Sequence, residues 1–189
     1  MASLIDRYLL FRLKTKQDPE AFTRLYDRYV KAIYRFAILK LPSVEDAQDI
    51  TAETFTRAWQ YLHEHHEVTH IRALLYRIAR NLIADRYRNT TETVSIEAVT
   101  FEAENTSIPM KDGIDGDQGR EKVLIEARAD LALVIEKLQR LKEDYRDVLT
   151  LRLIDDLPFN VIAEILEKKP GHVRVIYHRA MNALKELDT

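Results

Sequence analysis

Residues 157–187 read LPFNVIAEILEKKPGHVRVIYHRAMNALKEL. Ile162, Ala163 and Leu166 recur at helical spacing behind Pro158, which predicts a short helix over 159–166. Glu167-Lys168-Lys169-Pro170-Gly171 then makes a turn. A longer helix is predicted from about Gly171 to Leu187, with Val173, Ile176, Tyr177, Ala180, Ala183 and Leu184 available for packing. Short helix, tight turn and longer helix is the helix-turn-helix arrangement. Between Lys168 and Lys185 the charged residues are all basic: Lys168, Lys169, Arg174, Arg179 and Lys185. The start of the second helix presents Lys169, Gly171, His172, Arg174, Val175, His178 and Arg179. Arginine there can hold a guanine bidentately and valine can meet a thymine methyl in the major groove.

Upstream, Leu131, Val134, Ile135, Leu138 and Leu141 form one helical stripe. Tyr145, Val148, Leu149, Arg152 and Leu153 continue it after a break at 142–144, and Asp155-Asp156-Leu157-Pro158 ends it. The segment from Thr90 to Lys122 is different. It holds Gly113, Gly116 and Gly119, three of the four glycines, and eight acids against three bases. Such a stretch lacks the apolar surface to fold alone and is long for a loop within a domain. It reads as an acidic linker, with some strand-like alternation only at 93–101.

The first half is helical too. Asp18-Pro19-Glu20 supplies an N-cap acid, a first-turn proline and an acid at the positive helix end. Phe22, Leu25, Tyr26, Tyr29, Ile33, Phe36, Ala37 and Lys40 follow at three-four spacing. A second helix opens at Ser43, with Ala47, Ile50, Thr54, Phe55, Ala58 and Leu62 on its buried side. Its other side carries Asp46, Asp49 and Glu53 on one face, suited either to water or to a basic partner helix. A third helix, about Ile71 to Asn89, carries Arg72, Arg77, Arg80, Arg86 and Arg88 against the single acid Asp85. Arg77, Arg80, Asn81 and Arg88 share one side, and these residue types contact phosphates and base edges.

The chain is therefore expected to be all-α: two small helical domains, 1–90 and 123–189, joined by an acidic flexible linker, 91–122. Its 189 residues, 46% hydrophobic and 32% charged, suit that size, and the net charge of −2 hides strong local segregation. The absence of cysteine excludes disulfides and thiolate metal sites. His66 and His70 have metal-like spacing, but Val68-Thr69 breaks the helix between them and no carboxylate motif accompanies them, so no metal or cofactor is expected. No nucleophile–base set or phosphate-binding glycine loop is present, so no enzyme is expected. No apolar run is long enough for a membrane helix, and Asp6, Arg7 and Arg12 interrupt the one apolar stretch near the N-terminus, Leu4 to Leu13, so no secretory peptide is expected.

Four segments carry a family resemblance. DPEAFTRLYDRYVKAIYRFA (18–37) resembles the opening helix of region 2 in bacterial RNA polymerase sigma factors of the sigma-70 family, extracytoplasmic-function type. VEDAQDITAETFTRAWQYL (44–62) is similar to that family's D-x-x-Q-E-x-F-x-x-A-[WY] helix, and IRALLYRIARNLIADRYRN (71–89) to its promoter-melting segment. Residues 157–187 resemble its region 4 helix-turn-helix. The resemblance implies a cytoplasmic initiation factor that binds core polymerase, at the β′ clamp helices and the β flap, together with promoter DNA. An anti-sigma factor is a common further partner in the family. It implies core docking by Asp46, Asp49 and Glu53; −10 recognition by Asn81 and Asp85, with Arg77, Arg80 and Arg88 on the nearby backbone; and −35 recognition by the Lys169–Arg179 set. The linker would follow the RNA exit path, and the 63–70 loop with Arg88 would wall a pocket for unstacked bases. Ala52 stands where the family usually has Gln, Glu167 where the turn usually has Gly, and Lys168 where an apolar residue is usual, leaving Gly171 to preserve the helix crossing. The competing reading is a helix-turn-helix regulator that binds DNA without polymerase. It leaves the acidic face and the arginine-rich helix of the first half unassigned.

Overall fold

The computed structural model describes residues 3–16, 18–64, 67–91, 133–134 and 136–187. Residues 92–122 of the acidic linker, with its strand-like alternation, and His65 and His66 lie outside the described residues. The helices of the first half are α1 (Leu4–Lys16), α2 (Pro19–Ile38), α3 (Val44–His63) and α4 (Ile71–Thr91). Those of the second half are α5 (Glu143–Leu149), α6 (Phe159–Ile165) and α7 (Pro170–Glu186), with helical backbone also at 133–134 and 136–139.

The caps read from the sequence are in place. Asp18 accepts the Glu20 N–H at 3.0 Å, and Ser43 accepts the Asp46 N–H at 3.0 Å. From those starts α2 buries Ala21, Leu25, Tyr29, Ile33, Phe36 and Ala37, while α3 buries Ala47, Ile50, Thr54, Phe55 and Ala58. Between them aromatic rings meet edge to face: Phe22 on Trp59 at 4.8 Å and Phe36 on Tyr76 of α4 at 5.2 Å.

Helix α1 was not expected from the sequence, and its amphipathic pattern is blurred. Asp6, which reads as an interruption, is 4% exposed and accepts the Tyr29 hydroxyl at 2.6 Å, with Arg28 Nε at 3.1 Å. Leu4, Ile5, Tyr8 and Phe11 face outward, and only Leu9 and Leu13 enter the core.

The second half holds two surprises. After α5 the backbone makes a π-helical turn over Thr150–Ile154, closed by Asp155 N–H on the Thr150 carbonyl at 3.1 Å. That extra residue rotates the register. Leu151 is fully buried, whereas Leu153, expected in the stripe, is 51% exposed. The turn between α6 and α7 is set at Glu167, not Gly171. Glu167 sits in the left-handed region (φ 53°), and Lys168 N–H returns to the Ala163 carbonyl at 2.9 Å, closing a Schellman-type cap. Gly171 lies inside the first turn of α7 with open space where a Cβ would sit, so it does not preserve the helix crossing.

The two helical domains pack on each other. α6 lies against α4, and Val148, Leu151, Leu157, Ile162 and Ile165 share one apolar cluster with Phe36, Leu75, Tyr76 and Ala79. Charge is buried in the same seam. Lys40, 3% exposed at the end of α2, pairs with Asp147 of α5, which is fully buried. Asp147 also takes Arg80 Nε at 2.7 Å, and Arg35 Nε reaches Asp155 at 3.1 Å. Burial pushes the Lys40 ammonium from 10.5 down to about 7; Arg146 and Arg80 act the same way, and Glu143 and Asp144 oppose them.

Two expectations follow. Glu167→Gly removes the left-handed strain at the loss of one exposed ion pair, and should stabilise the chain by about 1 kcal/mol, a melting rise of roughly 2–4 °C. Glu167→Val should lower the melting temperature. For Lys40, the unfolded chain holds a proton between pH 7 and 10.5 that the folded chain has released. Stability contributed by this group therefore rises with pH across that window and is lost as pH falls through about 7. Melting curves of Lys40→Met against the unaltered chain from pH 7 to 9 should diverge, with the flatter profile in the variant.

Candidate nucleic-acid interface

Helix α7 is two-faced. Val173, Ile176 and Ala180 are buried against the rest of the domain, and the residues between them point outward. His172, Arg174, Val175, His178 and Arg179 are all exposed, with Lys169 just before the helix and no acid in its first turn. Helix N-terminal amides and arginines together favour phosphate and guanine edges. Arg174 lies 5.8 Å from the centre of the Phe159 ring, and Arg152 lies 5.1 Å from it. That ring in turn meets Tyr177 edge to face at 5.4 Å. The Arg174 guanidinium thus leaves a supported base rather than a free stem. Gly171, also exposed, contributes backbone only.

On α4 the expected row divides. Asn81 is exposed, and Arg88 pairs with Asp85 one turn earlier. Arg77 and Arg80 turn toward the second domain. Arg77 reaches Glu167 at 3.4 Å; Arg80 reaches Asp147 at 2.7 Å, Glu143 at 3.5 Å and Asp144 at 3.8 Å. Sequence reasoning had no view of Lys40 and Asp147 as a pair. Each stood in an apolar register, Lys40 closing the α2 stripe and Asp147 beside Val148, and a charge at a core position was the available signal.

The acidic face of α3 is formed as expected. Asp46 pairs with Arg86 of α4, Asp49 is exposed, and Glu53 accepts Arg57 Nε at 2.7 Å one turn on. Asp46 is thus partly committed within the domain, while Asp49 and Glu53 face outward. At the end of α3 the His63 ring is tilted against Trp59 at 4.1 Å, and in the following loop His70 Nδ1 lies 2.8 Å from Glu164 of α6. Among the described residues no three His, Cys, Asp or Glu side chains converge as a metal site, and no helix is long and apolar enough to cross a membrane.

Comparison with known proteins places this geometry. The family description "Sigma-70 region 2" matches residues 25–93, and "Sigma-70, region 4" matches residues 131–184. The chain is 31% identical over 172 residues to the ECF RNA polymerase sigma factor SigW of Bacillus subtilis, covering 90% of each. It is 28% identical to the ECF sigma factor BldN of Streptomyces coelicolor, of which it spans 61%, and 29% identical to the ECF sigma-E factor of Escherichia coli K12, of which it spans 93%. Among solved structures it resembles CnrH, in complex with the cytosolic domain of CnrY (TM-score 0.70, 23% identity, covering 97% of this chain and 96% of that one). It also resembles the sigma factor RpoE, in complex with the anti-sigma factor NepR from Bartonella quintana (TM-score 0.62, 21% identity, covering 88% and 95%). With two helical domains, a helix-turn-helix at the second and these relatives along nearly its whole length, the chain belongs to the extracytoplasmic-function sigma factors of the sigma-70 family, the initiation factors that direct RNA polymerase to promoters.

Proposed function

We propose that the chain divides its work between three surfaces on two domains, 1–90 and 123–189, joined by the 91–122 linker. The acidic face of α3, Asp46, Asp49 and Glu53, docks the β′ clamp helices of core polymerase, and the second domain docks the β flap. Helix α4 reads the −10 element with Asn81 and Asp85 and holds its backbone with Arg77, Arg80 and Arg88. Helix α7 reads the −35 element with His172, Arg174, Val175, His178 and Arg179, supported by Lys169 and Gly171 at its start. The observation that carries this reading is the two-sidedness of α7: an apolar face packed inward and an all-basic, acid-free face left exposed at its N-terminal half.

The protein acts in the cytoplasm with polymerase, as a binding factor without a catalytic centre or cofactor. Capture of unstacked non-template bases would drive melting, with the 63–70 loop and Arg88 as pocket walls. A net charge of −2 suits that division, because a strongly basic chain would be held everywhere on DNA by counterion release. An anti-sigma factor is the further partner proposed, since CnrH and RpoE were solved with protein partners and the latter's is an anti-sigma factor.

Co-elution with core polymerase tests the docking face. The unaltered chain should co-elute, and Asp49→Arg/Glu53→Arg should not, while retaining its melting temperature. For −35 reading, Arg174→Ala should weaken promoter binding by the reconstituted holoenzyme about tenfold or more, the range of one bidentate base contact. The loss should fall on one base position when promoter variants are compared. Equal loss on every sequence would make Arg174 a phosphate contact instead.

A further inference from the structure

The ion pairs that cross between the two domains share one polarity. Arg35, Lys40, Arg77 and Arg80 come from the first domain, and Glu143, Asp144, Asp147, Asp155 and Glu167 come from the second. No crossing pair among the described residues runs the other way. A mixed interface would interleave both signs on each side. One side supplying only cations is instead a surface built for an anion. Three of the acids, Glu143, Asp144 and Asp147, sit on the first turns of one short helix and converge on the single guanidinium of Arg80 at 2.7 to 3.8 Å. A guanidinium among several acceptor oxygens is also how arginine holds a phosphate.

We propose that the carboxylates of α5 stand in for promoter phosphates: they occupy the anion-binding surface of α4 in the free chain and hold the two domains closed until the −10 strand displaces them. This rests on the reading of Arg80 as a −10 backbone contact. The closed form is held by buried as well as exposed groups. Lys40 and Asp147 are out of water, and the apolar cluster spans the same seam. The exposed part, Arg77–Glu167 and Arg80 with Glu143 and Asp144, is where an incoming strand can begin to compete. The consequence is a free sigma factor with low affinity for −10 DNA. A ligand that binds only the open form loses apparent affinity by the fraction of chains that are open.

The chain contains no cysteine, so paired labels can be placed cleanly on the full-length protein. Gln60→Cys on α3 and Asn182→Cys on α7, both exposed, carry spin labels whose separation is read by pulsed electron resonance. The free chain should give one narrow distance. Titration with a single-stranded −10 non-template oligonucleotide should replace it with a longer, broader one. Asp147→Asn should lower the oligonucleotide concentration required about tenfold. Because that change leaves Lys40 buried beside a neutral amide, Glu143→Gln/Asp144→Asn is the second variant, with about a threefold decrease expected at unchanged melting temperature. Oligonucleotide binding with the distance unchanged, or both variants binding with unaltered Kd, would overturn the proposal. Arg80→Ala in the reconstituted holoenzyme decides the underlying reading separately. Reduced promoter opening supports Arg80 at the −10 element, whereas unaltered opening removes that role even if the domains part as predicted.

Discussion

A single carboxylate, Asp147, lies out of water between Lys40 at the end of α2 and Arg80 on α4. Arg80 is the standing cation for that buried carboxylate, and burial drives Lys40 toward its neutral form beside it. Their geometry leaves little choice in how the domains meet. With Asp147 fixed, α5 faces the end of α2, the π-helical turn carries Leu151 into the shared core, and α6 comes to rest on α4. Helix α7 is then left with its apolar side covered and its basic side in solvent.

That arrangement ties stability to function. The arginines that suit a phosphate backbone are the ones the second domain uses to close on the first, and the exposed basic residues at the start of α7 take no part in those ion pairs. One surface is guarded and the other is open. A chain with a balanced net charge can therefore hold concentrated positive charge without binding DNA indiscriminately, because one patch is neutralised internally. The exposed acids of α3 lie outside this contact, so docking to a basic partner does not require the domains to part first.

Much of the fold was legible because its signals are local. Asp18 and Ser43 mark the starts of α2 and α3, and three-four spacing marks their buried sides and those of α4, α6 and α7. Helix α1 escaped because Leu4, Ile5, Tyr8 and Phe11 face outward while Asp6 is buried beside Leu9 and Leu13, which blurs the amphipathic pattern. The π-helical turn escaped because one added residue per turn leaves composition untouched and shifts only the register, exchanging Leu151 for Leu153. Glu167 was flagged as a departure from glycine, yet only the backbone reveals that it keeps glycine's conformation. The exposed basic face of α7 could be read from spacing and charge. The pairing of Lys40 and Arg80 with Asp147 could not, since it joins residues far apart in the chain that no local periodicity connects.

Promoter selection belongs to this chain and polymerase together. Genomic DNA fragments should be selected on the cognate core polymerase with and without the protein, and on the protein alone. Core with the protein should recover fragments sharing two short motifs at a fixed separation, opened at the downstream motif, and the protein alone should recover none of them. Recovery of the same fragments by the protein without polymerase would contradict it.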